Sequence, residues 1–140
     1  MELEPYLFFS GNCEEALAFY KSIFGGEIVS ISRFKDMPSG GDHPQSEPEY
    51  ADKIMHATFK SPSFGFMASD GRPGKAYGEG AISLSLGMQD AAEAHRVFDA
   101  LGQGGKVEMP MQDTFWGAKF GMLTDRFGID WMVSGPLEKP

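Results

Sequence analysis

Short blocks of alternating apolar and polar residues run along the chain, interrupted twice by a longer stripe of helical period. Leu3–Phe9 reads as a strand. Asn12-Cys13-Glu14-Glu15 then opens a helix as a capping box, with Asn12 accepting from first-turn N–H groups and Glu15 reaching back. Ala16, Phe19, Tyr20, Ile23 and Phe24 recur at i, i+3, i+4, i+7 and i+8, which predicts one buried helical face ended by Gly25-Gly26. Glu27–Phe34 reads as a second strand. Residues 36–52 carry Pro38, Gly40, Gly41, Pro44 and Pro48 and read as a long loop, a length that goes with a lid, a binding loop or local disorder. Strands follow at about 53–60 and 64–69, and residues 70–80 form a glycine-rich linker.

The second half repeats the first. Ala81–Leu86 is a strand, Asp90-Ala91-Ala92-Glu93 a second capping box, and Ala94, Val97, Phe98 and Leu101 a second stripe stopped by Gly102, Gly104 and Gly105. Lys106–Met109 starts the next strand. Ala118–Thr124 and Ile129–Ser134 close the chain around Asp125-Arg126-Phe127-Gly128, which reads as hairpin chemistry. Asn12 to Asp90 is an offset of 78 and Gly26 to Gly105 one of 79, so helix starts and stops repeat in register. Each half reads strand–helix–strand–strand–strand. Neither buries its sheet alone, so the copies are expected to share a core. The expectation is a single α+β domain over 1–140, with module one at about 1–70, a linker at about 71–80 and module two at about 81–135. The two βαβββ modules would form a cupped, mostly antiparallel sheet with the helices on its outer face.

Alternation assigns the faces. Met55, Ala57 and Phe59 alternate with His56 and Thr58. Ile82, Leu84 and Leu86 alternate with Ser83 and Ser85, and Ile129, Trp131 and Val133 with Asp130, Met132 and Ser134. The apolar sets should pack under the helices. The mixed sets should line the concave face as a ligand cup.

Composition narrows the function. The 140 residues hold 12 Lys and Arg against 20 Asp and Glu, a net charge of −8 with no basic run, which argues against nucleic acid as a partner. No apolar stretch approaches the ~20 residues of a membrane span. Met1-Glu2-Leu3-Glu4 lacks the basic start of a signal peptide, and Cys13, the single cysteine, cannot form an internal disulfide; both favour the cytoplasm.

Tyr6-Leu7-Phe8-Phe9-Ser10-Gly11-Asn12 followed by Ala16-Leu17-Ala18-Phe19-Tyr20 resembles the opening module of the vicinal oxygen chelate superfamily, which includes glyoxalase I, extradiol dioxygenases and bleomycin-resistance proteins. His56-Ala57, Phe115-Trp116-Gly117, Asp125-Arg126-Phe127-Gly128 and Trp131-Met132 together resemble its PhnB-like branch, and the similarity covers nearly the whole chain. The resemblance implies a paired-module fold and commonly a homodimer. Metal-using members place His, Glu or Gln on the first, fourth, fifth and eighth strands. The corresponding positions are Pro5 or Leu7, Phe66, Met67 or Ala68, Ala81 or Ser83, and Met132, none of them such a donor. No metal and no cofactor are therefore expected. Part of the branch carries a methyltransferase label, but the chain has no glycine-rich strand-to-helix nucleotide loop.

His56, Thr58, Ser83, Ser85, Trp116, Asp130 and Met132 are the expected ligand-binding residues. His56 and Asp130 are also the catalytic candidates: His56 could move a proton, and Asp130 could orient it or pair with a cation. Each has a structural reading as well, a core histidine bonded to a carbonyl and a solvated strand-end carboxylate. Trp116 could stack on a ligand, cover the core or lie in a subunit contact. Tyr77 reads as a rim hydroxyl or a surface tyrosine, and Trp131 as core. Cys13 lies at a helix start, which lowers thiol pKa values, but Glu14 and Glu15 oppose reactivity. His43 and His95 read as solvent-facing, and the nine Met residues as adaptable packing. The expected function is metal-independent binding of a small molecule by a homodimer. The alternatives are a lyase, isomerase or dioxygenase, using metal or a His56–Asp130 acid–base pair, and a structural dimer with a vestigial cup.

Overall fold

The computed structural model describes residues 1–36, 48–71, 77 and 81–137; residues 37–47 of the expected long loop, His43 among them, and most of the linker lie outside them. The chain divides into two units, Met1–Tyr77 and Gly78–Pro140, with the boundary inside the expected linker. Among the described residues each unit holds one α-helix and one four-stranded sheet, and four of the six strand pairings are antiparallel.

In the first unit β1 (Tyr6–Phe9), β2 (Glu27–Arg33), β3 (Ile54–Lys60) and β4 (Gly65–Asp70) lie in the order β1-β4-β3-β2, and β1 runs parallel to β4. Helix α1 (Cys13–Phe24) covers one face. Tyr20 is buried there, its ring 5.9 Å from Phe66 and 6.5 Å from Phe9, and Phe66 stacks on Phe59 at 5.0 Å. The buried stripe is Cys13, Ala16, Leu17, Tyr20 and Ile23, so the face is rotated from the one the sequence predicts, and Phe19 and Phe24 are only half-buried. Strand β3 keeps the expected alternation at Ala57 and Phe59. A bulge opposite Ser32 and Arg33 lets Ile54, instead of Met55, take the next buried place. Strand β1 starts later than expected, and Leu3 is exposed.

The second unit orders β5 (Leu84–Gly87), β6 (Lys106–Asp113), β7 (Ala118–Thr124) and β8 (Asp130–Pro136) as β5-β8-β7-β6, again with one parallel pair, β5 and β8. Helix α2 (Ala91–Leu101) buries Ala94, Val97, Phe98 and Leu101 as predicted, against β7 and β8. Strand β5 is shorter than Ala81–Leu86: Ile82 precedes it and is exposed.

The two helix starts differ. Asp90 caps α2, accepting from Glu93 N–H at 3.1 Å. Asn12 makes no side-chain cap; Asp70 Oδ1 accepts from the N–H groups of Gly11 (2.8 Å) and Cys13 (2.9 Å) instead. Gly26 and Gly105 do more than stop helices. A Cβ at Gly26 would collide with the Lys60 carbonyl on β3, and one at Gly105 with the Thr124 carbonyl on β7.

Candidate functional site

On the first sheet the face away from α1 carries Tyr6 and Phe8 from β1 and His56 and Thr58 from β3. Their alternation partners Leu7, Phe9, Ala57 and Phe59 fill the core. His56 is half-buried. Its Nδ1 lies 3.3 Å from the Tyr6 hydroxyl and its Nε2 3.4 Å from Thr58 Oγ1, so both ring nitrogens are engaged by neighbours on the same face. Tyr6 and Phe8 pack at 4.9 Å, and Tyr77 stacks on Phe8 at 5.3 Å. Tyr6 and Phe8 nonetheless remain 37% and 46% exposed. The Tyr77 hydroxyl sits where a Cβ on Gly71 would be, which places this tyrosine against the sheet and not at a free rim. The result is an aromatic strip ending in an imidazole, suited to planar or apolar groups with one hydrogen-bonding substituent.

In the second unit, register builds a polar row across the face away from α2. Lys106 pairs with Thr124, and Thr124 with Asp130. Ser83, one residue before Leu84, falls beside Asp130 because Leu84 pairs with Trp131. A cavity of about 740 Å³ opens over this row, lined also by Arg126, Glu108 and Met122. That volume is within the usual range of small-molecule sites. Thr124 Oγ1 donates to Asp130 Oδ1 at 2.6 Å and holds the carboxylate in place. Ser83 Oγ is enclosed and has no hydrogen-bond partner among the described residues. Lys106 Nζ lies 3.6 Å from Glu108, and both side chains are well exposed. In the next row Met132 lies between Ser85 and Met122. Trp116, at the β6–β7 turn, is 58% exposed and makes edge-to-face contacts with Phe115 (5.0 Å) and Phe120 (5.7 Å).

A smaller cavity of about 380 Å³ beside α1 is lined by charges that satisfy one another. Arg33 forks onto Glu14 at 3.0 and 2.8 Å and donates to the Asp52 carbonyl; Lys35 pairs with Asp52 at 2.9 Å, and Lys53 donates to the Gly11 carbonyl at 2.7 Å. The Arg33 hydrogen bond holds the Glu14 carboxyl below its usual range, as Lys35 does for Asp52. Asp70, at the floor, accepts from three backbone N–H groups, those of Gly11, Cys13 and Ile54. This cluster is structural. Cys13 is buried, and burial, with Asp70 and Glu14 adding to it, pushes its thiol well above the ordinary range, opposite to a reactive cysteine. His95, expected toward solvent, is half-buried with Nε2 enclosed.

The superfamily's metal does not fit these residues. Leu7, Ala68 and Met132 stand on the relevant strands with no donor, and among the described residues no three His, Cys, Asp or Glu side chains cluster to hold an ion. Sequence reasoning missed Tyr6 and Phe8, because β1 is apolar on both faces and alternation gives no contrast. It also missed Thr124 and Lys106, which only strand register brings to Asp130.

Known proteins agree with this architecture. The chain is 44% identical to protein PA1353 from Pseudomonas aeruginosa, with 99% of each chain covered and a TM-score of 0.83. It is 31% identical to a solved Bacillus cereus protein described as a putative 3-demethylubiquinone-9 3-methyltransferase, PhnB protein, with 99% and 100% coverage and a TM-score of 0.79. It is 37% identical to protein YjdN of Escherichia coli K12 over 145 aligned positions, covering 100% of this chain and 99% of that one. The profile of the family described as 3-demethylubiquinone-9 3-methyltransferase matches residues 1–134. With two strand–helix–three-strand units and these relatives, the chain belongs to that family, the PhnB-like branch of the vicinal oxygen chelate superfamily.

Proposed function

We propose that this chain is a metal-independent small-molecule-binding protein that works as a cytoplasmic homodimer. The observation that carries the reading is the cavity of about 740 Å³ over Asp130, with one carboxylate oxygen pinned by Thr124 and the other without a donor among the described residues. A carboxylate accepts at both oxygens, so one with an oxygen left open at the lining of such a cavity favours a hydrogen-bond donor there. The donor-poor strands support independence from metal. The exposed Phe115 and Trp116 support a second subunit, since apolar surface of this kind goes with association. Methyl transfer finds no support in the β1–α1 turn, Ser10-Gly11-Asn12, which holds one glycine and commits the amides of Gly11 and Cys13 to Asp70.

A second reading rests on His56. A histidine hydrogen-bonded at both nitrogens, on an accessible sheet face, could serve as an acid–base group in a lyase or isomerase.

Native mass spectrometry of freshly purified protein tests the proposal. The expected result is a dimer that carries a small organic molecule and no metal, with a thermal midpoint unchanged by chelator. A stoichiometric metal whose removal lowers the midpoint would overturn metal independence. A monomer at micromolar concentration would overturn the dimer.

A further inference from the structure

We infer that the cavity of the second unit takes a zwitterionic ligand, with its ammonium on Asp130 and its acidic end on Lys106. The inference rests on the small-molecule reading above and adds the chemical class.

The argument is one of placement along a single row. A carboxylate only accepts hydrogen bonds. Asp130 Oδ1 is taken by Thr124 Oγ1, and among the described residues nothing donates to Oδ2, which leaves that oxygen to accept from a ligand. Ser83 stands beside Asp130 on the same row and lines the cavity at this end. Lys106 stands two strands away on the same row. Neighbouring strands are ~4.8 Å apart, so the backbones of Lys106 and Asp130 are separated by about 10 Å. The Lys106 chain is long and exposed, and its ion pair with Glu108 is loose at 3.6 Å. Its ammonium can therefore turn over the cavity toward an anion. Arg126, whose side chain lies against Gly104 and over the Phe127 ring, also lines the cavity. Positive and negative ends on one floor select for a ligand of opposite polarity, and they disfavour one with a single charge, which would leave one wall unpaired.

The probes are 6-aminohexanoate, hexylamine and hexanoate, which share a six-carbon chain and differ in the charges at its ends. Binding to the dimeric protein is measured by calorimetry and by chemical-shift changes at the Met122 and Met132 methyl groups. The zwitterion is expected to bind at least tenfold more tightly than either single-charge probe and to shift the Met122 methyl. Asp130→Asn should weaken 6-aminohexanoate and hexylamine tenfold or more and leave hexanoate within twofold. Lys106→Met should do the converse. The methyl shifts on the unmodified protein keep the test decisive if a variant fails to fold. Hexylamine or hexanoate binding as tightly as the zwitterion would overturn this inference and leave the small-molecule reading standing. No binding by any probe would also overturn it, and the copurified molecule sought by mass spectrometry would then decide the broader reading alone.

Discussion

The indole N–H of Trp131 donates to Asp125 Oδ2 at 2.9 Å, and both residues are buried. The other oxygen of the same carboxylate accepts from the N–H groups of Phe127 (2.9 Å) and Ile129 (3.1 Å), so one side chain both closes the β7–β8 turn and anchors the largest core residue. Trp131→Phe leaves a buried acceptor and should lower stability by about 1–3 kcal/mol; Asp125→Ala leaves three donors and should lower it by about 3 kcal/mol or more. In urea denaturation the double variant should lose less than the sum of the two, because both single changes break the same bond. Strict additivity would show that the bond contributes nothing.

Cys13 should be inert in the native protein. A thiol whose ionisation is opposed by burial, and further by Asp70 and Glu14, offers almost no thiolate at neutral pH. Ellman's reagent should leave the folded protein unmodified over hours and titrate one thiol in denaturant. Asp70→Ala removes the acceptor for the N–H groups of Gly11, Cys13 and Ile54 and should lower stability by about 3 kcal/mol or more, while speeding native-state labelling through local opening. Rapid labelling of the unaltered protein would contradict the buried placement.

Tyr50 predicts an alkaline limit to stability. Its hydroxyl donates to the Gly71 carbonyl at 2.8 Å, and burial, reinforced by Asp70, pushes its pKa up to about 12 from the usual 10. A folded-state pKa above the unfolded one means the contribution is complete below pH 10 and is lost as the pH rises toward 12. Stability should fall across that window, and Tyr50→Phe should remove this part of the fall. An unchanged profile in Tyr50→Phe would assign the loss to other groups.

His56→Ala should lower stability by less than about 1 kcal/mol, because its neighbours Tyr6 and Thr58 lie on an accessible face and can turn to water. A histidine packed beneath α1 would instead cost on the order of 2–4 kcal/mol on truncation. Equilibrium denaturation separates the two.

The alternation of Ala57 and Phe59 with His56 and Thr58, and of Trp131 and Val133 with Asp130 and Met132, is legible in the sequence because a strand with one buried face must write its periodicity into residue type. The stripe Ala94, Val97, Phe98 and Leu101 is legible for the same reason. The stripe of α1 misleads because its helix is apolar well beyond one face: Leu17 and Phe19 compete, and the sheet beneath decides. The substitution of Asp70 for Asn12 as the acceptor at that helix start cannot be read locally, since Asp70 arrives from more than fifty residues away. The row from Lys106 to Asp130 is hidden likewise: each residue is an ordinary polar position, and only pairing across three strands makes them one surface.

A single thiol closed off at the buried start of α1 also makes the chain a convenient host for spectroscopic probes. A cysteine introduced at Trp116, on the exposed β6–β7 turn, would be the one side chain to take a maleimide dye or spin label, with no need to remove Cys13 and disturb the packing around Tyr20 and Leu17. Distances between such labels on two copies would report subunit arrangement directly, in solution and with the native sequence otherwise intact.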